Sequence, residues 1–141
     1  MKPYIRKINY YETDKMGIVH HSNYIRFLEE ARCYWMEEIG APCSMFEKNG
    51  YTIPVLGVNI TYKKHVTFDD VIEITPYIKE YSSVRITVGY KVIEQKTGET
   101  VIIAETKHCF TNYDLKPVSL KKVLKEADEA LENDFLANKK K

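Results

Sequence analysis

A chain of 141 residues fits one domain, because two units of about 70 residues each would bury too little surface to stand without disulfides or metals. Its 44% hydrophobic and 29% charged residues exclude a chain disordered over most of its length, which would lack the apolar surface to offset the entropy of ordering. Twenty-one basic against 20 acidic side chains leave a formal charge of +1, so no whole-molecule field exists to hold nucleic acid or anionic membrane, and any anionic ligand must be held locally.

The first predicted element is a short strand over Tyr4 to Tyr10, followed by a loop and then a helix from Asn23 to Ile39. In that helix Tyr24, Leu28, Ala31, Trp35 and Ile39 recur at spacings of four and three, with Phe27 and Tyr34 widening the stripe. Ser22 or Asn23 can cap its start, and Gly40 with Pro42 can end it. From Tyr51 onward the period changes to two: Val84, Ile86, Val88, Tyr90 and Val92 alternate with Arg85, Thr87, Gly89 and Lys91, the pattern of a half-buried antiparallel strand. Gly98 turns it into a run beginning Val101-Ile102-Ile103-Ala104, a hairpin. Val55 to Tyr62 and Val71 to Ile78 supply two more strands, Pro76 marking an edge or a bulge. Leu120, Val123, Leu124, Ala127, Leu131 and Phe135 form a C-terminal amphipathic helix after a Ser119 cap. The order predicts an α+β fold, one antiparallel sheet of five strands with the long helix on one face. The domain is expected to run over residues 1–137, with 138–141 a solvated basic tail.

The chemistry is bounded first by what is missing. The six glycines form neither GxGxxG nor a Walker loop, no serine sits in GxSxG, and His20, His21, His65 and His108 make no HExxH. No metal and no cofactor is therefore expected. Cys33, Cys43 and Cys109 give neither a complete disulfide set nor a CxxC pattern. With no targeting segment and no apolar run near the ~18 residues of a membrane span, a cytoplasmic protein is expected.

The segment Thr13-Asp14-Lys15-Met16-Gly17-Ile18-Val19-His20-His21-Ser22-Asn23-Tyr24, followed by Phe27, Glu29, Ala31 and Arg32, keeps the register of the pattern D-T-D-x-x-G-x-V-Y-H-x-N-Y…F-x-E-x-A-R. It resembles the signature of the 4-hydroxybenzoyl-CoA thioesterase-like branch of hotdog-fold acyl-CoA thioesterases. Two positions depart from that pattern: Glu12 replaces the first Asp, and His20 replaces the aromatic before His21. The resemblance implies a sheet wrapped around the long helix and hydrolysis of an acyl-CoA thioester. It also implies dimers that pair into homotetramers. Thioester hydrolysis needs a carboxylate that attacks or activates water and donors aimed at the oxyanion. On this reading Asp14 is that carboxylate, and Gly17 lets the loop turn sharply. Backbone amides near His21 to Tyr24 polarise the carbonyl, and Val19, His20, Asn23 and Tyr24 contact the acyl group.

Each residue also has a plainer reading. A lone Asp before a helix is more often a turn residue, His21 a packing residue, Tyr24, Phe27 and Trp35 core, and Glu29 with Arg32 an ion pair three residues apart worth a few tenths of a kcal/mol when exposed. For the phosphates of coenzyme A, Lys63, Ser82, Ser83 and Arg85 are expected contacts, with Lys64, Lys121 and Lys122 further cations; all can equally be solvated. Two other functions fit the same fold: a non-catalytic acyl-thioester or protein-binding module, and a hydratase or dehydratase. Periodicity adds a homo-oligomer, since the non-alternating Val101 to Ala104 run points apolar groups at both sheet faces while one helix covers only one.

Overall fold

The computed structural model describes residues 2–139. Strand β1 (Tyr4–Lys7) leads through a single 3-10 turn (Tyr10–Glu12) and a loop to helix α1 (Asn23–Glu38). A short helix α2 (Cys43–Lys48) and strand β2 (Tyr51–Thr52) follow, then β3 (Val55–Tyr62), β4 (Val71–Tyr81), β5 (Arg85–Glu94), β6 (Thr100–Cys109) and β7 (Thr111–Asn112). The chain closes with α3 (Leu120–Val123) and α4 (Lys125–Lys139). Five strands form one antiparallel sheet in the order β1-β4-β5-β6-β3, and β2 pairs with β7 in a separate two-stranded ribbon. The α+β architecture expected from the sequence is thus present, with α1 as its central helix.

The core lies between one sheet face and α1. Tyr24, Phe27, Leu28, Ala31 and Trp35 of the helix are buried with Ile72, Ile74, Val88, Tyr90 and Ile102 of the strands. The C-terminal helical segment breaks at Leu124, whose φ of −147° leaves the helical region. Its second part, α4, joins the same core: Leu131 is buried with Trp35, Ile86 and Val88, and Trp35 Nε1 donates to Asp134 at 3.3 Å. Tyr81 and Ser83 fasten it by donating to Asp128, which is 2% exposed, at 2.6 and 2.8 Å. No helix among the described residues is long and apolar enough to cross a membrane.

Several local expectations change. β1 stops at Lys7 because Ile8 and the turn after it leave the sheet, although Ile8 remains buried. Neither Ser22 nor Asn23 caps α1: Ser22 is itself helical, and its hydroxyl pairs with the His20 ring. Ser119 makes no side-chain cap either. Asn138 and Lys139, expected in the tail, belong to α4, and residues 140–141 lie outside the described ones. The Val101 to Ala104 run sets apolar groups on both faces, but unevenly. The β5–β6 register shifts at Val92/Ile93, the bulge absorbs Val101, and Val101 and Ile102 are both buried while Ile103 alone points outward, 53% exposed.

Candidate active site

The loop between β1 and α1 is a small hairpin. Thr13 bridges Val19 and Ile18 bridges Thr67, so the loop is laid against the segment that enters β4. The Asp14 N–H donates to the Ile18 carbonyl and the Gly17 N–H to the Asp14 carbonyl, both at 2.9 Å. Closing that turn puts Gly17 at φ +78°, a conformation that costs other residues about 1 kcal/mol or more. The Asp14 carboxylate is half-buried, and Oδ1 accepts the Met16 N–H at 2.8 Å. The carboxylate makes no other hydrogen bond among the described residues. A carboxylate with a free oxygen can attack a carbonyl or take a proton from water.

Asp14 opens onto a pocket of about 710 Å³ that also takes in His20, Ser22 and Asn23. Its rim carries two exposed aromatics, Tyr10 and Tyr11, and two cations, Lys15 and Arg26. Sequence reasoning missed these four, although Arg26 stands one helical turn after Asn23 and so shares its face. The His20 and His21 rings stack with centroids 4.3 Å apart, and His20 Nδ1 lies 2.8 Å from the Ser22 hydroxyl.

The amides expected to polarise a carbonyl are fewer than the sequence suggests. The N–H groups of Asn23 and Tyr24 are taken by the carbonyls of His20 and His21 at 3.0 and 3.3 Å. The Ser22 N–H makes a long contact, 3.3 Å, to the His20 ring. His21 has the one main-chain N–H of this stretch without an acceptor among the described residues.

Other expected site residues lie apart. Val19 and Tyr24 are core, 4% and 3% exposed, and burial pushes the Tyr24 hydroxyl up to about 12. Asn23, by contrast, lines the Asp14 pocket, with its Nδ2 donating to the Glu12 carbonyl at 2.9 Å. Ser82 and Arg85 line a second pocket of about 510 Å³ with Lys107, which faces Thr87 across β5–β6 and is placed there only by strand register. Ser83 is occupied with Asp128, Lys64 is paired with Glu94 and Glu99, and Lys63 lies outside both pockets. The two pockets share no lining residue. Arg32 does not pair with Glu29 but reaches inward to the Tyr90 hydroxyl at 3.1 Å. Cys43, its sulfur 3.5 Å from that of Cys33, is pushed up to about 12 by burial and is a poor nucleophile.

Comparison with known proteins places this geometry in context. The family model of the thioesterase-like superfamily matches residues 8–127. The Bacillus subtilis protein YneP, whose name carries a provisional assignment as an acyl-CoA thioesterase, is 32% identical over 127 residues, 89% of this chain and 91% of its own length. A 1,4-dihydroxy-2-naphthoyl-CoA hydrolase of Thermosynechococcus vestitus is 26% identical over 109 residues, 77% of this chain and 74% of its own. The crystal structure of a DHNA-CoA thioesterase from Staphylococcus aureus superposes with a TM-score of 0.93 at 28% identity, covering 99% of this chain and 95% of that one.

Proposed function

Because the chain belongs to the thioesterase-like superfamily, we propose that this thioester hydrolase cleaves an acyl-CoA to the free acid and CoA, with Asp14 as the carboxylate that attacks or activates water. The observation that carries the assignment is the Asp14 carboxylate itself, held at one oxygen by the Met16 N–H, otherwise free, and lining an open pocket of about 710 Å³. The unoccupied N–H of His21 is the donor best suited to the developing oxyanion, and Gly17 holds the turn. His20 and Asn23 form the pocket wall, while Val19 and Tyr24 support it from behind. The Ser82, Arg85 and Lys107 pocket suits the phosphates of CoA, with Ser83 positioning its loop and Lys63 a more distant cation.

A pocket with no residue in common with the Asp14 site supports a homo-oligomer in which one subunit's cations serve its neighbour's carboxylate, at least a dimer and by family resemblance a tetramer. We assign the protein to the cytoplasm from its three unpaired thiols, and one hotdog domain to residues 1–137.

Thiol release from a panel of aryl- and aliphatic-CoA thioesters and acyl-carrier-protein thioesters separates hydrolysis from a binding module and from a hydratase, neither of which frees CoA. Asp14→Asn is expected to keep the fold and lower kcat by at least ~10²-fold; a variant retaining more than about a tenth of the wild-type rate overturns the assignment. Single turnover in ¹⁸O water then decides the chemistry. Label in the Asp14 carboxyl marks an anhydride, formed as CoA thiolate leaves and opened by water at the Asp14 carbonyl; with Asp14 unlabelled, CoA released ahead of the free acid in rapid quench marks an anhydride opened at the acyl carbon, and release of the two together marks general-base attack by water.

A further inference from the structure

Glu12, the residue that departs from the D-T-D pattern, is 4% exposed and sits at the centre of a fork. Its two carboxylate oxygens receive the two terminal nitrogens of Arg6, Nη1 at 2.6 Å and Nη2 at 2.5 Å, and Oε1 also accepts the Asn9 N–H at 2.7 Å. Arg6 comes from β1. Its Nε donates to Glu30 of α1 at 3.0 Å, and the guanidinium carbon lies 4.6 Å from the centre of the Phe27 ring. One guanidinium therefore references the sheet, the loop and the central helix to one another.

The backbone of the same Glu12 closes the catalytic loop. Its carbonyl accepts the His20 N–H and the Asn23 Nδ2–H, each at 2.9 Å. Residues 13–22 are thus tied at both ends to one peptide group, with Asp14 on the outgoing arm and the unoccupied His21 N–H on the returning arm. One methylene fewer, as in Asp, would draw the carboxylate back from the Arg6 fork and the Asn9 N–H unless the backbone moved. A buried ion pair adds little net stability, because desolvation offsets its attraction; what a bidentate pair supplies is fixed geometry.

Resting on the reading of Asp14 above, we propose that Glu12, clamped by Arg6, is a positioning residue that fixes the outgoing arm of the loop and with it the Asp14 carboxylate. Misplacement of a reacting group by about 1 Å can cost ~10²-fold in rate. Glu12→Ala is therefore expected to lower kcat at least about tenfold while KM for the acyl-CoA stays within about threefold. Glu12→Gln, whose amide oxygen still accepts from Asn9 and from one guanidinium N–H, is expected to recover most of the loss. In the Asp14→Asn background, Glu12→Ala is expected to change the residual rate by no more than about twofold, because its effect acts through Asp14.

A Glu12→Ala variant that keeps kcat within twofold, or losses that multiply in the double variant, overturns the proposal. Should Glu12→Ala fail to fold, Arg6→Lys carries the same test: it keeps the charge, loses the fork, and is expected to lower kcat at least threefold without moving KM. Full activity in Asp14→Asn, by contrast, overturns the catalytic reading whatever Glu12 does.

Discussion

His108 is ordinary in the sequence and unusual in the fold. It sits on β6 with its ring 1% exposed, Nε2 at 2.7 Å from the Thr106 hydroxyl, which in turn lies 2.7 Å from the Tyr90 hydroxyl that Arg32 reaches from α1. Nδ1 has no partner within hydrogen-bonding geometry among the described residues. Burial first, and the Arg32 charge second, lower its pKa from the ordinary 6.5 to about 4. The folded state thus binds this proton less readily than the unfolded chain, so the ring's contribution to stability is complete above pH 6.5 and is lost as pH falls toward 4. The linked free energy is about 3 kcal/mol. Melting temperature measured from pH 7 down to 4 should fall more steeply in the wild type than in His108→Met; parallel curves would show that the ring is solvated or charged in the fold. The Arg6–Glu12 fork makes the same point about partners. Nothing in the spacing of Arg6 and Glu12 predicts a bidentate pair, because the turn that brings them together is itself made by Glu12.

At the level of elements, helix ends were written more legibly than helix starts. The C-terminus of α1 closes as Gly40 and Pro42 suggested: the Gly40 N–H bonds to the Glu37 carbonyl and the Ala41 N–H to the Met36 carbonyl, with Gly40 at φ +88°. A Cβ on Gly40 would meet nothing within 4 Å, so Gly40→Ala costs only the left-handed conformation. Chemical denaturation should show a loss of about 1 kcal/mol with unchanged kcat. A loss below a few tenths would mean that the cap relaxes. At the helix start, Ser22 and Asn23 have capping side chains that other partners claim, the His20 ring and the Glu12 carbonyl. Pro76 sits in β4 beyond Ile74, where pairing with β1 ends, so its missing N–H faces no partner strand on that side. The short α2 escaped the periodicity reading because six residues hold less than two turns.

For the whole molecule, the open apolar surface is the β3 edge. β3 pairs only with β6, and along it Val55, Leu56, Val58 and Tyr62 are 52%, 56%, 42% and 47% exposed. Eight residues of unpaired, apolar edge are a template for another strand, and a second copy of this chain is the partner we propose. In this proposal the driving surface is the β3 edge, whereas the Val101 to Ala104 run on its own points to the outer sheet face. Light scattering should give at least twice the 16.5 kDa chain mass, with activity falling on dilution in step with dissociation. Val58→Lys is expected to shift the equilibrium toward monomer and to lower activity at low protein concentration. A fully active monomer would place the complete site within one chain.

The sequence by itself determined the α+β class, the long helix, the strand order along the chain and the segment that carries Asp14, because periodicity, turn residues and a contiguous motif are all local properties. Only the tertiary structure decided that Val19 and Tyr24 face inward, that Ser82, Arg85 and Lys107 gather in a pocket separate from Asp14, and that Arg6 grips Glu12. These depend on sheet register and on which partner reaches a polar atom first. Such contacts join residues far apart or across a turn, and neither spacing nor composition encodes that competition.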